Sequence, residues 1–221
     1  DINGNTATCT QTIVISDDED PSITCPADVN QTADNGVCEA AVAILAPATN
    51  DNCGVASVTN DYNNTSDASD IYPVGTTTVV WTVTDIYGNT STCTQTIIIT
   101  DDEDPTITCP ADVAQTADLG VCEANVSIAA PATADNCTVA SAINDYNNTS
   151  DASDIYPVGT TTVVWTVTDA AGNTATCSMD IVITDNENPS ITCPADVNQT
   201  ADNGVCEAAV SIAIAATNDN C

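Results

Sequence analysis

The chain contains no lysine, no arginine and no histidine, against 32 acidic residues and a formal charge of −32. A surface of that sign repels nucleic acid and anionic membranes, so neither is a partner. Without basic side chains the usual general bases, Schiff-base amines, phosphate clamps and imidazole metal ligands are all absent. Lys–Asn isopeptide crosslinks are excluded on the same ground. Paired carboxylates could still hydrolyse a glycoside, but that needs a deep cleft, which a small domain rarely has. The expectation is a protein that is not an enzyme. No run of 18 apolar residues occurs, so no membrane-spanning helix is expected.

What is present is a repeat. All 12 cysteines keep a period of 84 residues: Cys9, Cys93 and Cys177; Cys25, Cys109 and Cys193; Cys38, Cys122 and Cys206; Cys53, Cys137 and Cys221. Asp17–Thr100 and Asp101–Thr184 agree at 67 of 84 positions, and Asn60–Asp85 recurs unchanged at Asn144–Asp169. Self-similarity at this period means tandem copies of one small domain. We expect residues 1–16 to be the C-terminal strand of a preceding repeat, 17–100 and 101–184 to be complete repeats, and 185–221 to be the N-terminal part of a following one. Four cysteines per small repeat, with no close thiolate pair and no histidine for zinc, point to disulfides and an extracellular or cell-surface setting.

Within one repeat the apolar residues alternate. Thr77–Asp85 puts Val79, Trp81 and Val83 on one face and Val80, Thr82 and Thr84 on the other. Thr94–Thr100 is a second β-branched strand. Further strands fit Ser22–Cys25 extending towards Thr32, Val37–Leu45 and Val55–Thr59. Turn residues sit at Asp34–Gly36, Ala46–Asn52, Asn60–Asp70, Pro73–Gly75 and Asp85–Asn89. Such spacing predicts an all-β sandwich, repeated as an elongated head-to-tail array. A core this small is marginal, so disulfides worth roughly 2–4 kcal/mol each would decide whether it folds.

The order Asp17-Asp-Glu-Asp-Pro21, Ile23-Thr-Cys-Pro26, Gly36-Val-Cys38, Asp51-Asn-Cys53, Tyr72-Pro-Val-Gly-Thr76 and Thr84-Asp-Ile-Tyr-Gly-Asn89 followed by Cys93 resembles the hyalin repeat. The resemblance spans essentially the whole chain. It implies immunoglobulin-like extracellular domains in an adhesive or structural setting, and no reaction. The absence of every basic residue departs from ordinary members and argues against binding acidic glycans.

Placing the motifs on a seven-strand sandwich brings the linker, the loop Ala46–Asn52 and the loop Asp85–Asn89 to one end. Asp17, Asp18, Glu19, Asp20, Asp51, Asn52, Asp85 and Asn89 would meet there. Oxygen ligands alone, several of them carboxylates, are what Ca²⁺ takes. The set recurs as Asp101, Asp102, Glu103, Asp104, Asp135, Asn136, Asp169 and Asn173, and in the third copy as Asp185, Glu187 and Asp219. The second acidic stretch, Asp61–Asp70, lacks the glycine and terminal glutamate of an EF-hand and reads as a polar loop. Asn-x-Ser/Thr triplets occur, and no role is assigned to them.

Four cysteines per repeat allow three pairings. Cys25 opens the first strand and Cys93 the last, which favours Cys25–Cys93 and Cys109–Cys177. That leaves Cys38–Cys53, Cys122–Cys137 and Cys206–Cys221. The rival, Cys9–Cys25 with Cys93–Cys109, spans a whole strand of about 20 Å against a bridging limit near 7 Å.

The expected function is a stretch of a long extracellular fibre or stalk, with Ca²⁺ rigidifying each linker. Its partners would be further copies of the repeat in the same chain, with lateral or head-to-tail self-assembly. The alternative is an array of modules that bind a glycan or a partner protein through exposed loops. The loop Asn60–Gly75, identical in both complete copies, favours the spacer.

Overall fold

A computed structural model describes residues 1–221 and divides them into two compact units, Asp1–Glu103 and Asp104–Cys221. Each complete repeat forms eight strands and no helix. In the first these are β1 (Ser22–Thr24), β2 (Val29–Thr32), β3 (Glu39–Val42), β4 (Ala48–Asn50), β5 (Val55–Asn60), β6 (Asp70–Pro73), β7 (Gly75–Asp85) and β8 (Thr90–Thr100). The second repeats them as β9 (Thr106–Thr108), β10 (Val113–Thr116), β11 (Glu123–Val126), β12 (Ala132–Ala134), β13 (Val139–Asn144), β14 (Asp154–Pro157), β15 (Gly159–Asp169) and β16 (Thr174–Thr184). The last 37 residues of the 221 form only β17 (Ser190–Thr192) and β18 (Ala216–Asn218).

One layer of the sandwich is a four-stranded sheet in the order β2-β8-β7-β5, and the other is made of the pairs β3-β6 and β1-β4. The long hairpin β7–β8 runs antiparallel from Gly75↔Ile99 to Thr84↔Thr90. Val79, Trp81 and Val83 are buried on the predicted face, and Ile97 and Ile99 of β8 join them. Ala40, Val42 and Tyr72 from β3 and β6 close the core from the other side. Strand β2 pairs with β8 in parallel, so the chain crosses between layers at Cys25–Asp28. One extended strand from Ser22 to Thr32 was expected; Pro26, which cannot donate to a ladder, breaks it in two.

Two strands were not expected from the sequence. β4 falls inside Ala46–Asn52 and pairs with β1, and β6 follows the polar loop and pairs with β3. Both are short and lack a β-branched run, so alternation could not reveal them. Residues 6–20 carry no strand, although 1–16 was expected to supply one. The equivalent β8 is held by β7 and β2 on either side, and this chain has no such neighbours for the first 16 residues.

The loop Asn60–Asp70 is polar and self-contained. The Asn60 side chain accepts the N–H groups of Tyr62 and Asn63 and donates to Asn63 Oδ1 and the Thr65 carbonyl. Asp61 accepts the Val80 N–H at 2.7 Å, Asp67 that of Ser69 at 2.8 Å and Asp70 that of Ile71 at 2.8 Å. Three carboxylates thus serve as backbone caps, in line with a polar loop. Tyr62 stacks on Tyr72 with ring centroids 4.3 Å apart, and the buried Tyr72 hydroxyl donates to the Ala68 carbonyl at 2.6 Å.

The two repeats are nearly identical, which isolates one energetic difference. Trp81 Nε1–H donates to Gln95 Oε1 at 3.2 Å, and Gln95 in turn donates to the Ala27 carbonyl at 2.8 Å. Met179 replaces Gln95 in the second repeat, and Trp165 Nε1 is buried without an acceptor. An unsatisfied buried donor costs about 1–3 kcal/mol. Trp81→Phe, which orphans Gln95, is expected to destabilise its repeat by about 1 kcal/mol more than Trp165→Phe destabilises the other. Calorimetry of the two variants checks it; equal losses would mean that the Trp81–Gln95 bond contributes nothing.

Burial pushes the Tyr72 and Tyr156 phenols up to about 12, helped by the neighbouring Tyr62 and Tyr146 and by nearby aspartates. Both folded values lie above the unfolded value near 10. Their stabilisation is therefore complete below about pH 10 and is lost as pH rises through about 12. Two of the five tyrosines should ionise late in an ultraviolet titration, together with unfolding.

Candidate metal centre

Three carboxylates from distant parts of the sequence meet in the first unit. Asp17 lies in the linker ahead of β1, Asp51 follows β4 and Asp85 ends β7. One carboxylate oxygen from each lies within 4.8 Å of the others. Two oxygens on opposite sides of a Ca²⁺, each at about 2.4 Å, are separated by that same distance.

Local backbone geometry fixes each side chain. Asp85 Oδ1 accepts the N–H groups of Tyr87, Gly88 and Asn89, and Oδ2 accepts the Asn89 amide at 2.8 Å. The turn needs Gly88 in the left-handed region, at φ 98°. Asn89 also donates to the Asp17 carbonyl at 3.2 Å, which ties the linker to the β7–β8 turn. Asp51 Oδ2 accepts the N–H groups of Cys53 and Gly54 at 2.8 and 2.9 Å. Asp17 Oδ1 accepts the Glu19 N–H at 3.2 Å.

The remaining oxygens are the informative ones. Asp17 Oδ2 and Asp51 Oδ1 are buried with no hydrogen-bond donor. A buried charge is normally paired or bound to metal, and this chain has no basic side chain to pair with. Burial alone would raise the Asp85 carboxyl. The Asn89 amide and the N–H groups of Asn89, Tyr87 and Gly88 outweigh it, so its pKa falls below the usual aspartate value. Desolvation at the site thus falls on an aspartate that stays ionised. The donor set suits a hard cation: oxygens only, several of them charged.

The second unit repeats the loop chemistry. Asp135 Oδ2 accepts the N–H groups of Cys137 and Thr138, while its Oδ1 is buried with no donor. Burial would raise Asp169, but bonds from Asn173, Gly172 and Ala171 lower it below the ordinary value. Asp101, one period after Asp17, is buried.

Other residues of the predicted set are placed differently. Asp18, Glu19, Asp20, Asn52, Asp102, Asp104 and Asp219 are exposed. Glu103 and Glu187 are committed to the chain that precedes them: Glu103 Oε1 accepts the Gly36 N–H at 2.7 Å, and Glu187 Oε1 the Gly120 N–H at 2.6 Å. These glutamates clasp the Asp34–Gly36 and Asp118–Gly120 turns. Asp185 accepts the Glu187 N–H at 2.9 Å and so shapes the clasp. Sequence reasoning missed it because a glutamate and a turn 67 residues apart carry no local pattern.

Cys25–Cys93 and Cys109–Cys177 are disulfides with Cα atoms 5.7 Å apart, and both pack against the cores. The inner pairing is different from expectation. Cys122 bonds to Cys221, 99 residues away, in place of Cys122–Cys137 and Cys206–Cys221. Cys38–Cys53 does not form either: Cys53 and Cys206 are free and exposed, as are Cys9 and Cys193, while Cys38 and Cys137 are in disulfides. Cys38 leads into β3 and Cys53 into β5, in different layers, so the two thiols are not neighbours.

Comparison with known proteins finds relatives over most of the chain. The chain is 34% identical over 210 residues to a hyalin of Strongylocentrotus purpuratus, covering 92% of this chain and 17% of that protein. A hyalin of Lytechinus variegatus is 32% identical over 216 residues, covering 94% and 40%. The rat sushi, von Willebrand factor type A, EGF and pentraxin domain-containing protein 1 is 31% identical over 178 residues, covering 78% and 5%. The chain therefore spans less than half the length of each of these relatives. Among solved structures, a protocadherin gammaB7 EC3-6 structure aligns with TM-score 0.39 and 14% identity over 85% of this chain and 56% of its own. Human mucin-like protocadherin EC1-2 aligns with TM-score 0.38 and 10% identity over 75% and 98%. The HYR domain matches twice in tandem, at residues 16–99 and 100–183, and the chain belongs to the HYR domain family, as a run of β-sandwich repeats.

Proposed function

We propose that this segment is a structural and adhesive stretch of an extracellular protein, in which Ca²⁺ bound by Asp17, Asp51 and Asp85 stiffens the approach to the repeat. Its partners are further copies of the repeat and the surfaces that such copies join. The observation that carries the reading is the pair of buried, donorless oxygens on Asp17 and Asp51 beside Asp85. An ion there would ligate one linker residue and two loop residues, and so couple linker motion to the sandwich. The same positions recur at Asp101, Asp135 and Asp169, and partly at Asp185 and Asp219. The exposed Asp18 and Asp20 would leave the remaining coordination positions to water or to their own carboxylates. Persistent disulfides suit an oxidising, extracellular setting.

Ca²⁺ that binds only the folded form should stabilise it by RT ln(1 + [L]/Kd), or about 2.7 kcal/mol at a hundredfold excess over Kd. Calorimetry and small-angle scattering of the chain, with and without millimolar Ca²⁺, are expected to show a higher melting temperature and narrower conformational spread. Asp17→Asn combined with Asp51→Asn should remove the response of the first site, since each Asn keeps one backbone-capping acceptor but supplies no charge. No change on adding Ca²⁺ to the unaltered chain would leave the acids as a solvated hinge.

Acid should act in two stages. Protonating ligand carboxylates releases the ion first. The folded pKa of Asp85 lies below its unfolded value, so its own contribution is full above about pH 4 and is lost as pH falls through the depressed value. A melting-temperature profile against pH in EGTA isolates the second stage, and Asp85→Asn should flatten it. A profile identical in the variant would mean that the β7–β8 turn does not depend on the ionised carboxylate.

A further inference from the structure

The Cys122–Cys221 bond lies entirely within the second unit but joins two different repeats. Cys122 follows the Asp118–Gly120 turn of the repeat 101–184, and Cys221 follows β18 in the next copy. Their Cα atoms are 5.1 Å apart. Two further contacts seat the same turn on the following copy: Glu187 accepts the Gly120 N–H at 2.6 Å, and the Asn220 amide donates to the Val121 carbonyl at 3.1 Å. The bond is thus part of a built joint.

We infer that successive repeats are held by two independent covalent connections, the peptide linker and a disulfide from the second cysteine of one repeat to the fourth cysteine of the next. The free cysteines fit this rule. Cys206 occupies the second position, as Cys122 does, and Cys53 the fourth, as Cys221 does; both are exposed. Cys206 is therefore the acceptor for the fourth cysteine of a following copy, and Cys53 for the second cysteine of a preceding one. Closure removes one proton from each thiol and two electrons from the pair. A disulfide oxidant of the export compartment takes them and is reduced to a dithiol.

The mechanical consequence follows from connectivity. Cys109–Cys177 short-circuits the sandwich of 101–184, so tension reaches the next repeat through the linker after Cys177. Cys122–Cys221 offers a second route that bypasses the linker. A peptide bond broken between residues 184 and 190 then leaves the chain in one piece. The exposed acidic linker is the segment most open to such a cut, and the disulfide protects continuity there.

The absence of Lys and Arg makes the test clean, because Asn186→Arg creates the sole trypsin site in the chain. After trypsin, mass spectrometry without reductant should find one species, heavier than the intact variant by one water, and reductant should split it into 1–186 and 187–221. Adding Cys122→Ser should release 187–221 without reductant, and Cys221→Ala should do the same. Release from Asn186→Arg alone overturns the inference, as does retention in both cysteine variants. Cleavage of the unaltered chain after glutamate gives a reading that needs no variant. Peptide 104–123, itself held to 124–187 by Cys109–Cys177, should also carry 208–221, whereas 188–207 joined to 208–221 would place the bond inside one repeat and refute the double connection.

Discussion

Every carboxylate in this protein must be satisfied without a basic side chain. The structure answers in three ways. Asp61, Asp67, Asp70 and Asp85 cap backbone N–H groups of the turns that follow or face them. Glu103 and Glu187 reach back to a glycine N–H and fix the linker against the turn before it. Asp18, Asp20 and their equivalents stay in water. One oxygen each of Asp17, Asp51 and Asp135 is buried with no donor to accept from. In a protein with lysines such a site would read as a broken ion pair; here no basic side chain exists to supply the missing charge.

The same constraint shapes the turns. A carboxylate that accepts several backbone N–H groups needs those groups to point inward, which Asp85-Ile-Tyr-Gly-Asn89 achieves with Gly88 at positive φ. The acid that organises the turn is also one of the three that converge. Turn formation and a convergent acidic site are therefore one structural event. The near-identical second repeat confirms the economy of the arrangement, since Asp169 makes the same turn although Ala170 and Ala171 replace Ile86 and Tyr87.

A sandwich with one tryptophan and a handful of valines and isoleucines buries little apolar surface, and the covalent frame supplements it. Cys25–Cys93 and Cys109–Cys177 lock the first and last strands of each repeat against the core. Cys122–Cys221 works at a different level, between repeats. One chain thus uses the same chemistry for domain stability and for the continuity of the array.

The period, the long hairpin strands and the buried face of Val79, Trp81 and Val83 were legible in the residues, because local alternation and turn chemistry act within a few positions. The convergence of Asp17, Asp51 and Asp85 was also within reach, since sandwich connectivity sends alternate loops to the same end. β4 and β6 were not, because strands of three and four residues are stabilised by partners and not by their own pattern. The inner cysteine pairing was likewise beyond the sequence: elimination left a bridge across 15 residues, whereas the sandwich puts those thiols in different layers. What the sequence by itself determined was the repeat and its strand-forming periodicity, which are short-range properties. Tertiary structure alone decided which carboxylates lose their solvent, which glutamates clasp a turn and which thiols meet, because each depends on the approach of segments dozens of residues apart.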